Sequence, residues 1–380
     1  VIYLDNAATS FPKPPAVCKE VLNCLENYCG NPGRGAHSLS LAAAEKVYEC
    51  RENAAALLGC EPENIVFTLN TTHALNIVIK GVLRPKDHVL LSDLEHNSVL
   101  RPLWRMAQEG IIEYDIYPSL TVESRPPASA LICSHISSLI RPNTRMLICC
   151  HSSNICSRVL PLREIGALCR RRGILFVVDA AQSAGHLPID MKKMNIDALC
   201  APGHKGLLGP QGCGILALRS GVLLDTLTEG GNGVNSLEAG MPDFSPERYE
   251  AGTLAVPAIA GLSEGIKTIT AHGIINIRAH ANMLYHTLYD MLSSVRGVTI
   301  YAPAHVGAVM LFNVRDIPSD TAARELDRAG ICVRSGFHCS PLGHATLKTP
   351  ADGAIRASFG IYNTQKDIES LWRTVRELAK

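Results

Sequence analysis

At 380 residues, with 36 Lys and Arg against 35 Asp and Glu, the chain is long enough for more than one hydrophobic core and too evenly charged to argue for nucleic acid or an anionic membrane as a partner. No run approaches the roughly 20 apolar residues needed to span a bilayer, and the opening VIYLDNAATS lacks a basic segment followed by an apolar one, so a soluble, cytoplasmic protein is expected. The 14 cysteines include no C-x-x-C pair, which argues against the common zinc and thioredoxin patterns, and no metal site is expected. Several, such as Cys149, Cys150, Cys169, Cys200 and Cys213, stand in apolar or helical stretches, as free thiols do in a reducing compartment.

In chain order, Pro15 to Asn27 and Leu39 to Leu58 read as helices, the second opening on a serine-containing cap. Strand and helix signals then alternate: strand NIVFTL, helix THALNIVIKGVL, strand HVLLSD, a helix near Val99 to Gln108 and strand IIEYDIY. MLICCHSSN and ILFVVDAAQ continue the strands, separated by the helical PLREIGALCRRRG. The alternation predicts right-handed βαβ units and a mostly parallel sheet with helices on both faces. Residues 121–130, TVESRPPASA, read as a surface turn or short insertion, and Leu227 to Glu250 as a loop. A long helical stretch is expected from about Ala258 to Leu292, then the short strands VTIYAP and VMLFNV and the helix SDTAARELDRAG. The expected architecture is α/β: a large domain over residues 15–260 and a smaller α+β domain made of 1–14 and 261–380.

The apolar run ILFVV ends on Asp179, at the strand end where open α/β sheets place their ligands. Lys205 follows in the glycine-rich loop PGHKGLLGPQGCG, whose glycines suggest a backbone that must approach something closely. An Asp at a strand end and a Lys in such a loop are the two fixed points that pyridoxal phosphate needs. The amine forms a Schiff base, and the carboxylate keeps the pyridine nitrogen protonated so that the ring serves as an electron sink. The ordinary alternatives are a surface lysine and a helix-capping aspartate.

Further candidates surround these two. His96 lies just past a strand end, where an imidazole can lie on a cofactor ring and move a proton. Gln182 and Asn154 are both candidates for the phenolic oxygen, or each stabilises a turn. Thr71 and Thr72 open a helix and suit a phosphate at its N-terminus, or one of them is a plain cap. His204 suits a phosphate oxygen, and the Gly252-Thr253 pair offers a hydroxyl of little specificity. Cys339, in ICVRSGFHCSPLGH, has glycines at 336 and 343 that would let its loop move, and a thiol near cations can act as a thiolate nucleophile. Arg356 is the natural bidentate partner for a substrate carboxylate.

Taken in this order, the residues resemble the cysteine desulfurases of the class V aminotransferase group, which are fold-type I pyridoxal-phosphate enzymes. The resemblance runs from YLDNAATS through NPGRGAHSLS to RASFGIYNT, and the compact R-S-G-x-H-C segment is most similar to the SufS and selenocysteine lyase-like branch. It implies a Schiff base at Lys205, a ring-nitrogen partner at Asp179, stacking by His96, and a phenolic-oxygen contact at Gln182 and Asn154. Phosphate contacts are implied for Thr72, His204 and, from the other subunit of a homodimer, Thr253. Arg356 would hold the substrate carboxylate with Asn154 nearby, Arg34 and His37 match the RGxH segment at the site entrance, and Arg334 leads to the nucleophile.

The implied cycle converts L-cysteine to L-alanine and leaves a persulfide on Cys339 for a sulfur-acceptor protein, as in iron–sulfur cluster supply. A selenocysteine lyase, or another C–S lyase acting on cystine or a related amino acid, is the alternative. The chain departs from the family pattern at Pro202, where a Ser or Thr is usual, and at His73, where a Glu is usual. Two outcomes are open for the missing hydroxyl: weaker cofactor binding, or compensation by Thr71 and Thr72. A nucleotide-binding reading finds neither G-x-G-x-x-G after the first strand nor G-x-x-x-x-G-K-[ST].

Overall fold

The computed structural model describes residues 1–33, 35–119, 128–302 and 307–380. A short strand, β1 (Ile2–Tyr3), and two helices, α1 (Pro15–Asn27) and α2 (Ser38–Leu58), come first. The alternating region follows: β2 (Ile65–Thr68), α3 (Thr71–Val82), β3 (Asp87–Ser92), α4 (Asn97–Gln108), β4 (Ile112–Tyr117), α5 (Ala128–Leu139), β5 (Thr144–Cys150), α6 (Leu162–Arg172) and β6 (Leu175–Asp179). β7 (Ala198–Pro202) and β8 (Gly214–Leu218) close it. After a long connection come α7 (Val256–His272), α8 (Ile274–Ser293), β9 (Val298–Tyr301), β10 (Val309–Val314), α9 (Ser319–Arg328), β11 (Ile331–Cys332), β12 (Arg334–Gly336), α10 (Pro341–Leu347), β13 (Ala354–Ser358) and α11 (Gln365–Leu378).

Seven strands form one sheet in the order β2-β8-β7-β6-β5-β3-β4. β8 runs antiparallel to both its neighbours, and the remaining pairs are parallel. The inner strands are buried on both faces, which is why they read as apolar runs and not as alternating patterns. Leu147, Phe176 and Ile215 face a core shared with α2, α6 and α7. Their sequence neighbours Ile148, Val177 and Leu216 face a second core with α3 and α4.

A four-stranded antiparallel sheet, β12-β13-β10-β9, packs on α8, α9 and α11 through Leu284, Phe312, Ile355 and Leu371. β1 pairs in parallel with β11, Ile2 opposite Ile331, so the N-terminus belongs physically with the second sheet. A small apolar cluster of Leu94, Cys150, Ile155, Cys156, Leu311 and Ala354 joins the two sheets behind the strand ends.

Three expectations change. The stretch from Ala258 to Leu292 is two helices, broken at Gly273, whose φ of 79° ends α7 and redirects the chain into α8. Residues 128–130 of the expected surface turn begin α5, while the rest of that segment lies outside the described residues. β7 and β8 escaped notice because only five residues long each, beside a glycine-rich loop, they carry little periodicity. Among the described residues no helix is long and apolar enough to cross a membrane, and all the cysteines are free.

Candidate active site

Asp179 is the last residue of β6, in register with Cys150 of β5 and Cys200 of β7, which places it at the middle of the sheet's carboxyl edge. Its Oδ1 accepts a hydrogen bond from the Ala181 N–H at 2.8 Å, so it also caps the turn that follows. Burial raises its pKa, and the nearby Lys205 pulls it back down. Lys205 lies in the connection between β7 and β8. Burial lowers its pKa to about 8, the Arg356 and Arg334 cations add to the effect, and Asp179 and Asp5 oppose it.

The glycines of this loop serve packing more than cofactor approach. A Cβ on Gly206 would lie 2.3 Å from the Ala184 carbonyl and 2.6 Å from the His186 ring, so only glycine lets the segment beside Lys205 seat against residues 184–186. Gly212 has open space around it and is needed for its φ of 82°, which turns the chain toward β8.

Thr71, Thr72, His96, Asn154, Asp179, Gln182, His204 and Lys205 line one cavity of about 110 Å³. Asn70 caps α3, its side chain accepting from the His73 N–H at 2.9 Å. The first N–H groups of a helix have no partner within it, and here they border the cavity. The buried Thr71 Oγ1 also has no partner. Thr72 Oγ1 lies 2.7 Å from Ser98 Oγ, which lies 2.8 Å from His96 Nδ1.

His96 is the N-cap of α4, and its Nδ1 accepts from the Ser98 N–H at 3.1 Å. Accepting at Nδ1 assigns the ring proton to Nε2 in the neutral imidazole. Burial, with Lys205 and Arg356 adding, lowers the His96 pKa to about 4, so the ring is neutral near pH 7. His204 is pushed to about 4 by burial and the same lysine. Gln182 donates to the Ala7 carbonyl at 2.9 Å. Pro202 lines the cavity without a donor. The His73 ring turns back to accept from the Leu69 N–H at 3.3 Å and is absent from the cavity wall.

Pyridoxal phosphate fits these residues. An unpartnered buried hydroxyl at a helix N-terminus suits its phosphate, and Asp179, a buried carboxylate at the sheet's edge, suits a protonated ring nitrogen.

Across the cleft, β12 leads into a loop where His338 and Cys339 both take left-handed backbone, with φ of 52° and 56°. Two hydrogen bonds tie the loop's backbone to the larger sheet. Asn154 Nδ2 donates to the His338 carbonyl at 2.8 Å, and the Asn97 N–H donates to the Cys339 carbonyl at 2.7 Å. Gly343 lies within α10, where a Cβ would meet Ile155 at 2.7 Å, so its role is packing. The His338 and His344 rings stack, with Nδ1 to Nε2 at 3.1 Å. Cys339 itself is exposed. It opens on an outer trench that shares Thr72, His96 and Ser98 with the inner cavity.

Arg356 on β13 is buried and already engaged: Nη2 pairs with Asp5 Oδ1 at 2.7 Å, and Nη1 donates to the Asn154 carbonyl at 3.2 Å. Its Nε is buried without a partner. Arg334 stands opposite Arg356 in the β12–β13 register, exposed.

Cys339, Arg334 and Arg356 are absent from the wall of the Lys205 cavity, and the remaining candidates are not brought to it either. Thr253 is exposed and absent from its wall. His37 caps α2, its Nδ1 accepting from the Ser40 N–H at 3.3 Å, and Arg34 lies outside the described residues. Sequence reasoning missed Ser98, Asp5 and Glu95. Glu95 is fully buried, accepts from the Cys150 N–H at 2.8 Å and from Ser92 Oγ, and so ties the end of β3 to the end of β5. Burial raises its pKa to about 8. The adjacency of Glu95 to His96 was the available signal.

The aminotransferase class-V family profile matches residues 2–371. A probable cysteine desulfurase of Methanothermobacter thermautotrophicus is 34% identical over all of this chain and 94% of its own. A cysteine desulfurase of Yersinia pestis is 30% identical with the same coverage. The apo structure of a cysteine desulfurase from Thermococcus onnurineus superposes with a TM-score of 0.90 at 31% identity, covering all of this chain and 94% of that one.

Proposed function

The chain belongs to the aminotransferase class-V family and has its fold-type I architecture, and we infer from that premise that it is a pyridoxal-phosphate-dependent cysteine desulfurase. The observation that carries this reading is one wall with two faces: Thr72, His96 and Ser98 border both the cavity of Lys205 and the trench of Cys339. A group attached at Lys205 and a thiol at Cys339 are thereby set on either side of one imidazole.

When bound, pyridoxal phosphate supplies the electron sink for negative charge at the substrate α-carbon. Thr71, Thr72, His204 and the start of α3 would hold its phosphate, Asp179 its ring nitrogen, and Gln182 and Asn154 its phenolic oxygen. Lys205 would carry it between turnovers. Displaced by L-cysteine, a lysine with a pKa near 8 is poised to take the α-proton at Nζ. His96, neutral with its proton on Nε2, would donate a hydrogen bond from that atom and is no proton source near pH 7. Arg356 would hold the substrate carboxylate in exchange for its present partners, Asp5 and the Asn154 carbonyl; its Nε is buried without a partner.

Cys339 attacks the substrate sulfur. The carbon–sulfur bond breaks, a sulfur–sulfur bond forms on Cys339, and the carbon skeleton leaves as L-alanine after protonation. The persulfide then passes to an acceptor, for which iron–sulfur assembly is one destination.

We further propose a cytoplasmic homodimer in which the partner's copy of Thr253 completes the phosphate site, since this chain's own Thr253 is exposed and absent from the cavity wall. Arg34 and His37 are placed at the entrance on the resemblance alone. For the division into domains, we propose residues 1–14 with the second sheet, on the β1–β11 pairing, and a boundary just after Ile277, because the larger core runs through α7 into the start of α8.

The test is alanine and sulfide production from L-cysteine with a reductant, comparing wild type with Cys339→Ser. Turnover in the first and its loss in the second is expected. Equal turnover, or pyruvate and ammonia in place of alanine, would make this a different lyase.

A further inference from the structure

The trench beside Cys339 is larger than an amino acid requires. Its volume is about 650 Å³ against about 110 Å³ for the cavity at Lys205. Thr72, Asn76 and Lys80 form one stripe of α3, while Ser98, Arg101 and Arg105 face them from α4. Eight residues of helix carry this stripe about 12 Å from the mouth of the inner cavity.

The trench is also basic. It is lined by Lys80, Arg101 and Arg105, and its one acidic residue, Glu109, is occupied by Arg105 at 2.9 Å. Among the described residues, Lys80 and Arg101 make no ion pair. Arg334, exposed on the strand that leads to Cys339, makes none either. Cations of one sign left uncompensated around a concave mouth focus an attractive field on anions. The thiol at one end is exposed and its backbone is fixed.

We propose that the α3–α4 trench is the docking surface of the sulfur acceptor, and that this acceptor is a polypeptide bearing carboxylates beside its thiol. The proposal rests on the persulfide reading above. A free amino acid or a small neutral thiol would fill only the Cys339 end. A peptide segment of several residues fills the whole length and offers anions to Lys80 and Arg101. The acceptor thiolate attacks the outer sulfur of the persulfide. The bond from that sulfur to Cys339 breaks as a new sulfur–sulfur bond forms on the acceptor, and Cys339 leaves as a thiolate. Electrons balance without an added oxidant or reductant.

The experiment uses holoenzyme charged by a single turnover with L-cysteine. Discharge is timed with two cysteine peptides of equal length, one flanked by Asp and Glu and the other by Lys and Arg, with dithiothreitol as a neutral control. At low ionic strength the acidic peptide is expected to react about tenfold or more faster than the basic one, and the difference to collapse near 0.5 M salt. The Lys80→Gln, Arg101→Gln double variant is expected to lose most of that preference while keeping the wild-type alanine burst and the dithiothreitol rate.

Equal rates for the two peptides would overturn the proposal, as would a variant that slows the alanine burst and leaves peptide discharge unchanged. Alanine formed with no persulfide on the protein would instead overturn the underlying reading, and the docking inference with it.

Discussion

At the carboxyl ends of β6 and β7, Asp179 and Lys205 occupy a buried setting fixed by a parallel sheet. The Cys339 loop, carried by the antiparallel sheet, is short, presents an exposed cysteine between buried neighbours, and runs through two successive left-handed residues that are not glycine. Such backbone costs about 1–3 kcal/mol per residue and persists only where neighbours hold it. Here the neighbours come from the other sheet: Asn154 follows β5, and Asn97 follows β3. The rigid half therefore sets its own geometry and also imposes that of the half bearing the thiol. A nucleophile held this way has little freedom to swing, which suits attack on a substrate presented at one fixed place.

Several substitutions would break or sharpen that contrast. The largest effect is expected in the rigid half, where Lys205→Ala should remove the visible imine absorbance and lower turnover by about 10³-fold or more. A variant that kept the absorbance would move the anchor elsewhere. Arg356→Ala, which breaks a contact between the halves, should raise KM for cysteine about 10- to 100-fold, the range expected of a charge-assisted hydrogen bond; an unchanged KM would assign the carboxylate to another group.

Asn154→Ala removes a donor to the strained loop. It should lower kcat about tenfold, cost about 1 kcal/mol of stability, and raise protease cleavage near residue 339. Unchanged cleavage would mean that the loop holds itself. Ser98→Ala should have the smallest effect, a loss in kcat of about threefold, with Ser98→Thr restoring it. A loss of fold in both would reduce Ser98 to packing.

The pKa of Lys205 gives a separate handle. Folded, it lies near 8 against an ordinary 10.5, so between about pH 8 and 10.5 the folded apoenzyme binds fewer protons than the unfolded chain. Stability contributed by this group rises with pH across that window, and below pH 8 its full penalty is present. Apoenzyme carrying Lys205→Met should thus be more stable than wild type at pH 7 by up to about 3 kcal/mol, the gap closing toward pH 10.5 in denaturant titrations. A gap independent of pH would show that the amine is not desolvated in the folded protein.

Legibility in the sequence followed the same division. Asp179 and Lys205 could be found because a charged residue ending an apolar run, and a lysine among glycines, are local signals. The partners that make them work were hidden by distance along the chain. Asp5 reaches Arg356 across 351 positions, and Asn154 reaches the His338 carbonyl across 184. The two glycines at 336 and 343 look alike in the sequence but differ in setting: Gly343 is where Ile155 packs, whereas Gly336 takes a φ of 97° in open space. Ser98 was missed since its hydroxyl matters only once α3 and α4 bring Thr72 and His96 to either side of it. Thr253 and His37 were proposed from the resemblance, and one chain alone does not bring them to the cavity.

The most direct measurement of the central claim is mass spectrometry of the holoenzyme after one turnover of L-cysteine, with no thiol present and persulfides trapped by alkylation. The account predicts one added sulfur on the peptide containing Cys339, in step with one equivalent of L-alanine. Alanine released with the sulfur on another cysteine, or as free sulfide with Cys339 unmodified, would contradict it.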